Sequence, residues 1–198
     1  MEPGSVDPPL RVDWLEATEL DDGAPGRLGM TFLPGKRGQS LRYPGRVYRR
    51  ELGRDLDTLH HGGIRHLLLL VDDDELRTWG DPEIVRRGAS RGVMVTRRPL
   101  PDGSAPSSTQ AMDETLEVLA AARRTGDVAV ACMGGVGRTG TVAACALVAA
   151  GLSAGRAIER VREVRHPTAV ETQEQVDFVH AYERHVAAGR NRSGKVAP

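Results

Sequence analysis

A glycine-rich segment of nine residues restricts the architecture of this chain more than any other feature. Residues 132–140 read Cys-Met-Gly-Gly-Val-Gly-Arg-Thr-Gly, with an apolar run at 128–131 before them and an alanine-rich stretch at 140–150 after them. The apolar run predicts a buried strand, and the alanine-rich stretch predicts a helix. Glycine lets the backbone between them turn tightly, so that successive N–H groups face one point. The segment therefore predicts a strand, an anion-binding loop and a helix in direct succession.

The rest of the chain alternates short apolar runs with longer helical patterns. We predict strands at 30–33, 46–48, 64–71, 93–97 and 128–132, and helices at 51–61, 82–91, 109–125, 140–150, 154–165 and 173–187. Such alternation is typical of an α/β fold with a central, mostly parallel sheet flanked by helices. We assign residues 12–188 to a single domain, 1–11 to a polar N-terminal tail and 189–198 to a disordered C-terminal tail.

Charge and hydropathy disfavour several classes of function. The 198 residues include 27 basic and 27 acidic side chains, so no general field attracts nucleic acid or an anionic membrane. The longest aliphatic run, 67–71, is too short to cross a bilayer, and no apolar secretion signal begins the chain. The six histidines show no metal-ligand spacing. We expect a cytoplasmic protein, monomeric by default, without metal or other cofactor.

Cys132 and Arg138 have the chemistry that a phosphate ester requires. A guanidinium can bind two phosphoryl oxygens at once, and a thiol beneath a ring of N–H groups is favoured as the thiolate. The Thr139 hydroxyl can help the sulfur leave a phosphocysteine, or it can simply cap the helix. A buried structural thiol is the alternative for Cys132. We assign Cys145, on the following helix, to core packing.

Asp102 is the candidate general acid. An alkoxide or phenoxide departs slowly unless a carboxylic acid protonates it. Asp102 lies in a segment, 98–106, whose prolines and glycine exclude helix and central strand, and such a loop can close over a substrate. The alternative is a Pro-Asp-Gly turn without a catalytic role. Three other carboxylates, Asp113, Glu114 and Asp127, are less well placed relative to the Cys132 loop.

The Cys-x5-Arg-Thr segment resembles the signature of the cysteine-based protein tyrosine and dual-specificity phosphatases, most closely the cyclin-dependent kinase-associated phosphatase type. Supporting segments at 33–35, 99–103 and 169–172 extend the resemblance over residues 28–186, nearly the whole chain. The resemblance implies a protein tyrosine phosphatase-like fold with the phosphate loop between a strand and a helix. It also implies a cysteine nucleophile and an aspartate acid about 30 residues earlier, which matches the interval from Asp102 to Cys132. The implied substrate-binding residues are Met133, Gly134, Gly135, Val136, Gly137 and Arg138.

The chain departs from this family pattern at two positions. The histidine that usually precedes the cysteine is Ala131, and the glutamine that usually positions the hydrolytic water corresponds to Glu171. Gln175 fits a second glutamine of the pattern. Since Thr172 and Gln175 also form a capping-box pattern, a water-positioning role and a helix-start role remain open.

Two further pairs of basic residues have an ordinary interpretation. For Arg162 and Arg165 we favour cations at a helix C-terminus over a brace for the phosphate loop. For Lys36 and Arg37 we favour a solvated turn over a position that flanks the cleft.

The pattern as a whole predicts hydrolysis of phosphomonoesters on phosphoproteins through a cysteinyl-phosphate. Phosphotyrosine is the predicted substrate, and the choice between tyrosine-only and dual specificity stays open. The alternative, motivated by Ala131 and Glu171, is a phosphate-recognising pseudophosphatase or kinase-binding module. A thiol redox or arsenate enzyme is disfavoured because Cys145 is placed in mid-helix, where it cannot resolve a bond to Cys132.

Overall fold

The computed structural model describes residues 7–40 and 42–193. The strands are β1 (Asp13–Leu15), β2 (Leu28–Phe32), β3 (Arg37–Gln39), β4 (Val47–Arg49), β5 (Ile64–Leu69), β6 (Met94–Arg97) and β7 (Asp127–Cys132). The helices are α1 (Leu52–His61), α2 (Asp73–Trp79), α3 (Ile84–Ala89), α4 (Thr109–Arg123), α5 (Gly137–Ala149), α6 (Ala154–Val164) and α7 (Gln173–Ser193). A short 3-10 helix, Ala17–Glu19, follows β1.

A five-stranded sheet in the order β1-β2-β7-β5-β6 forms the centre of the fold. β7 lies between β2 and β5 and is parallel to both, and only the edge strand β1 is antiparallel to its neighbour. Strands β3 and β4 form a separate antiparallel hairpin. The predicted α/β fold with a mostly parallel sheet is confirmed, and the Cys132 loop follows the carboxyl end of the central strand, where α/β folds bind their ligands.

Side chains of β7 alternate between two cores, one on each face of the sheet. Val130 and Cys132 pack with α4 to α7 on one face. Ala129 and Ala131 pack on the other face with α1, α2 and α3. Ala131 therefore points away from the side of the sheet that carries the cysteine.

Helix α2 was not predicted. It has seven residues and a single buried one, Leu76, so it lacks the apolar periodicity by which longer helices are recognised. A capping box specifies its start, because the side chains of Asp72 and Glu75 each accept a hydrogen bond from the other residue's backbone N–H. Strand β1, of three residues, was missed for the same reason of length, and helix α3 begins at Ile84 rather than at residue 82.

The folded region is longer at both ends than the predicted 12–188. Leu10 is buried in the core on the α1 side, and Asp7 accepts a hydrogen bond from the Arg49 backbone N–H at 3.1 Å. At the other end α7 continues to Ser193, and the Arg190 guanidinium donates to the Ala149 carbonyl at 2.9 Å. The remaining parts of the predicted tails, residues 1–6 and 194–198, lie outside the described residues.

None of the helices within 7–40 and 42–193 combines the length and apolar character that crossing a membrane requires.

Candidate active site

The loop between β7 and α5 requires glycine at one position in particular. Gly135 has φ +66°, and a Cβ built there would lie 2.2 Å from the Thr31 carbonyl oxygen. Any side chain would therefore both strain the backbone and collide with β2. Gly134 differs, because a Cβ there would meet nothing within 4 Å. The tight turn of the loop depends on Gly135, as the glycine-rich sequence predicted in general terms.

The Cys132 sulfur lies at the base of this loop. Its Sγ accepts a hydrogen bond from the Gly135 backbone N–H at 3.2 Å. Burial by itself raises the pKa of the thiol, but the charge of Arg138 and hydrogen bonds from Thr139 and the Val136 backbone outweigh burial, and the net pKa is lower than usual. The Gly135 N–H and the Arg138 charge thus both favour the thiolate, and the role of Cys132 as nucleophile stays a prediction.

The Thr139 hydroxyl is fully buried beside the sulfur. Its contribution lowers the pKa of Cys132, although the contact falls outside ordinary hydrogen-bond geometry. The hydroxyl oxygen has no hydrogen-bond partner of ordinary geometry among the described residues. A buried hydroxyl without another partner is available to the sulfur, which agrees better with the sulfur-directed interpretation than with helix capping.

Arg138 is held in place by several acceptors at once. Its side chain is 1% exposed, and its guanidinium donates to both carboxylate oxygens of Glu75, at 2.6 and 2.7 Å. It also donates to the Leu100 carbonyl at 2.8 Å and to Asp102 Oδ1 at 2.9 Å. Burial lowers its pKa, but the hydrogen bonds to Glu75 and the charges of Cys132 and Asp102 raise the pKa above its ordinary value. The guanidinium therefore remains charged in a fixed orientation.

Glu75 is the main site residue that sequence reasoning missed. It lies on α2, where its carboxylate both caps the helix and orients Arg138. The available signal was the acidic run at 72–75, separated from the end of β5 by two residues, since β5 and β7 are neighbours and their carboxyl ends meet at one edge. The run indicates a helix start only after α2 itself is recognised.

Asp102 lies at the mouth of the site. Its side chain is 76% exposed, and its contact with Arg138 brings it to the same guanidinium that faces Cys132. The Leu100 carbonyl accepts from Arg138 as well, so the guanidinium fixes the start of the acid-bearing loop. The structure thus brings Asp102 to Cys132 and Arg138, which follow it in the sequence by 30 and 36 positions.

The remainder of the Asp102 loop is bound to the start of α7. The Thr172 hydroxyl donates to the Gly103 carbonyl at 2.8 Å, and the Gln175 side-chain amide donates to the Ser104 carbonyl at 3.1 Å. Gln175 also completes the capping box, since its oxygen accepts from the Thr172 N–H at 3.4 Å and its own N–H donates to the Thr172 hydroxyl at 3.2 Å. These contacts of Gln175 are those of a helix start and a loop anchor, and its water-positioning role stays a prediction.

Glu171 lies across the cleft mouth. Its carboxylate forms an ion pair with Arg42 of the β3–β4 hairpin, and a Cβ on Gly137 would lie 2.5 Å from Glu171 Oε2. The preceding Val170 has φ +61°, an unusual conformation for a β-branched residue, and it directs the chain into the site. Glu171 is therefore placed at the phosphate loop, and its role with water stays a prediction.

Two cations brace the loop from outside, contrary to our expectations for both. Arg165 donates to the Gly135 carbonyl at 2.7 Å and pairs with Asp13 at 2.7 Å. Lys36 is 7% exposed rather than solvated, and its ammonium donates to the Met133 carbonyl at 3.2 Å. Both expectations were wrong because sequence neighbours do not reveal contacts that arise only when distant elements pack.

An open cleft of about 430 Å³ contains the predicted groups. Its lining includes Asp102, Cys132, Met133, Gly134, Arg138, Glu171 and Gln175, together with Lys36, Gln39, Arg42 and Trp79. The predicted residues Gly135, Val136, Gly137 and Thr139 are buried behind this lining.

The competing carboxylates lie elsewhere. Asp113 binds the Tyr182 hydroxyl and the His185 ring, and Asp127, at the opposite end of β7, binds Arg27. Glu114 is exposed on α4. Within the described residues no group of three or more His, Cys, Asp or Glu is arranged to hold a metal ion.

Comparison with known proteins adds independent findings. A family model described as PTP-SAK, Swiss Army Knife protein, DSP-PTPase phosphatase domain, matches residues 43–192. Cyclin-dependent kinase inhibitor 3 of Rattus norvegicus is 28% identical over 185 residues, which cover 91% of this chain and 82% of that protein. The protein of the same name from Homo sapiens is 26% identical over the same length.

Solved structures agree with these relatives. A kinase associated phosphatase (KAP) with its catalytic-site cysteine replaced by serine has a TM-score of 0.78 at 24% identity, covering 92% of this chain and 98% of that one, a likeness of fold. Tk-PTP in its active form has a TM-score of 0.64 at 32% identity, covering 80% of this chain and 92% of that one.

Proposed function

The chain belongs to the PTP-SAK family of DSP-PTPase phosphatase domains and is a phosphatase; on this premise we propose that it hydrolyses phosphorylated side chains of proteins through a cysteinyl-phosphate intermediate. The observation that carries the proposal is the convergence of Cys132, Arg138 and Asp102 in one cleft. Around the sulfur, the lowered pKa of Cys132 and the donors of the loop supply a nucleophile and an anion cradle together.

The substrate phosphoryl group binds to the loop N–H groups and to the Arg138 guanidinium. Glu75 holds that guanidinium by two hydrogen bonds, so little side-chain entropy is lost when the phosphoryl oxygens bind. In the free enzyme, Arg138 Nη2 donates one hydrogen bond to Glu75 Oε1 and another to Asp102 Oδ1. An arriving phosphoryl oxygen therefore takes over part of the donor capacity that Asp102 uses in the free enzyme.

In the first chemical step the thiolate attacks phosphorus. The bond between Sγ and phosphorus forms, the bond from phosphorus to the leaving oxygen breaks, and protonated Asp102 gives its proton to that oxygen. Arg138 and the loop N–H groups stabilise the charge on the remaining oxygens. The product of the step is a neutral hydroxyl on the protein substrate and a phosphoryl group on Cys132.

In the second step water displaces the sulfur. A water oxygen bonds to phosphorus, the bond to Sγ breaks, and the Asp102 carboxylate accepts the proton, so the acid is regenerated and inorganic phosphate leaves. The buried Thr139 hydroxyl stabilises the departing thiolate, just as it lowers the pKa of Cys132 in the free enzyme. Glu171 and Gln175, which line the same cleft, are proposed to orient the water.

A phosphoprotein suits this cleft better than a highly charged small molecule. The loop between Cys132 and Arg138 has no lysine or histidine, which a polyphosphate or inositol phosphate would engage. The cleft is open at its mouth and has the Trp79 ring in its lining, which can pack on a side chain. The name of one relative, kinase associated phosphatase, refers to a protein partner of that phosphatase.

We also infer a reducing compartment, in keeping with the expected cytoplasmic location. Neither cysteine is in a disulfide, and the mechanism requires Cys132 as a free thiolate.

Turnover of a chromogenic aryl phosphate, in the presence of reductant and without added metal, tests the mechanism. Cys132→Ser abolishes turnover, and Asp102→Ala slows it by roughly 100-fold or more, the usual contribution of a general acid. The loss from Asp102→Ala shrinks as the leaving group becomes more acidic, because a stable phenoxide needs no proton. Mass spectrometry of a quenched reaction locates the phosphoryl group on Cys132.

Cys145→Ser is the matched control, since this buried thiol has a pKa raised well above the usual value by burial and faces the core. It leaves turnover unchanged. An inactive wild-type protein that still binds phosphopeptides would instead support the pseudophosphatase alternative, and phosphoryl transfer to any residue other than Cys132 would contradict the proposed intermediate.

A further inference from the structure

A second concave surface adjoins the active-site cleft. This basic groove has a volume of about 380 Å³ and shares Lys36, Arg42 and Gly134 with the cleft. It lies between the β3–β4 hairpin, the end of α6 and the outer side of the Cys132 loop. Two binding volumes that share residues can be occupied by one ligand, with one end in each.

The groove is strongly positive. Six cationic side chains line it and no carboxylate does, within the described residues: Arg11, Lys36, Arg42, Arg46, Arg50 and Arg165. Carboxylates outside the groove compensate part of this charge, since Asp13 pairs with Arg11 and Arg165, Asp55 with Arg50, and Glu171 with Arg42. Three carboxylates thus face six cations, and an excess of positive charge remains.

Arg11 and Arg165 share Asp13, which leaves one excess charge, and Lys36 and Arg46 supply the other two. Neither Lys36 nor Arg46 pairs with a carboxylate in the part of the chain that the structure describes, and both cations lie over the Tyr48 ring, at 4.5 and 4.7 Å from its centre. Lys36 is 7% exposed, and its hydrogen bond to the Met133 carbonyl uses one of its three donors. A buried ammonium with unused donors, between the cleft and the groove, is the arrangement that an incoming anion would complete.

The electrostatics of Lys36 agree with this geometry. Burial lowers the pKa of Lys36 most, and the positive charges of Arg46 and Arg42 lower it further, whereas the Cys132 charge acts in the opposite direction. An anion in the groove would relieve the repulsion between these like charges.

We propose that the basic groove binds a second anionic group, a phosphoryl or a carboxylate, on the same polypeptide whose phosphorylated residue occupies the cleft. This inference rests on the proposed function and names its preferred substrate: a phosphoprotein with another acidic group close in sequence. Apolar and aromatic side chains, Phe32, Tyr48 and Val136, interleave with the cations, and they suit the carbon atoms of a peptide better than a hydroxyl-rich inositol ring.

A peptide series tests the groove. The reference is a phosphotyrosine peptide with neutral flanks, and the series adds one phosphoserine at each position from four before to four after the phosphotyrosine. For the wild type at low salt, at least one position raises kcat/KM by about tenfold, the range of one charge-assisted contact, and added salt reduces the gain.

Arg46→Gln identifies the surface responsible, because Arg46 lines the groove but not the cleft. It removes most of the gain and leaves kcat/KM for an aryl phosphate unchanged. Arg49→Gln is the matched control, since Arg49 is an exposed arginine on the same hairpin that lines neither surface, and it preserves the gain. No gain at any position, or equal losses in the two variants, would refute the proposal.

Two further arms separate the proposal from its premise and from a lipid ligand. Fluorescence anisotropy measures how the best doubly phosphorylated peptide binds to the Cys132→Ser variant. Adding Arg46→Gln to that variant weakens binding, whether or not the wild type turns over the peptide. Failure of catalysis and failure of the groove are therefore distinguishable. Vesicles containing a phosphoinositide bisphosphate serve as the other probe. Arg46-dependent binding to vesicles without any gain among the peptides would overturn the assignment to a polypeptide.

Discussion

Replacing Glu75 with glutamine probes the contact on which the orientation of the phosphate-binding guanidinium depends. The change removes the negative charge of the side chain and keeps its shape. Glutamine can still accept the hydrogen bond from the Asp72 N–H that closes the capping box of α2. The carboxylate makes two charge-assisted hydrogen bonds to Arg138, at 2.6 and 2.7 Å, and the two side chains are 16% and 1% exposed. Such hydrogen bonds are worth about 1.5–3 kcal/mol each.

The expected loss is smaller than the sum of both bonds. Glutamine retains one acceptor oxygen, and Arg138 keeps Asp102 and the Leu100 carbonyl as partners. We therefore expect a loss of about 2 kcal/mol, below the 3–5 kcal/mol measured when a buried ion pair loses a partner outright. If this loss appears in transition-state binding, kcat/KM falls by about 30-fold. If it also appears in folding, Tm falls by about 4–8 °C for a chain of this size.

The assay compares kcat/KM for an aryl phosphate and the inhibition constant of vanadate, both measured well below Tm. The two quantities change together, because the guanidinium contacts the phosphoryl oxygens in each complex. Asp72→Ala is the control: it removes the Asp72 side-chain cap on the Glu75 N–H and leaves both contacts with Arg138, so it costs about 1 kcal/mol of stability and little activity. Activity of Glu75→Gln within threefold of wild type, or an equal loss in Asp72→Ala, would refute the reasoning.

Three further changes test the loop, each with its own measurement. Gly135→Ala displaces the loop and lowers aryl phosphate turnover by about 100-fold or more. In Gly134→Ala the added Cβ has open space, so this variant stays active. Comparable kinetics of the two variants would contradict this prediction. Thr139→Ala removes a hydroxyl that stabilises the thiolate, so the pKa of Cys132 rises. The pH dependence of iodoacetate alkylation then moves about one unit toward higher pH, and Thr139→Ser restores the original dependence. Arg165→Gln loses the brace on the Gly135 carbonyl and lowers kcat/KM by about tenfold. Arg160→Gln, on the same helix but paired with Glu19, is its control, and an equal effect would show that the brace is irrelevant.

The sequence by itself determined the part of the site that is local. Cys132, Arg138 and Thr139 lie within eight consecutive residues, and a strand, a glycine-rich turn and a helix can place such residues around one anion in few ways. The parallel sheet was predictable because the apolar runs and helical patterns alternate along the chain. Asp102 was identified by its position before the loop together with a family resemblance, since the Pro-Asp-Gly segment alone describes a turn equally well.

The tertiary structure alone decided which distant side chains support that local site. Glu75, Lys36 and Arg165 come from α2, from the turn before the β3–β4 hairpin and from the end of α6, and each reaches the loop or its arginine by a contact across many residues. In sequence each of them looks like an ordinary charge at a helix end or in a turn. Hydrogen bonds between remote residues depend on how elements pack, and packing is a property of the whole chain, so neighbouring residues contain too little information to predict them.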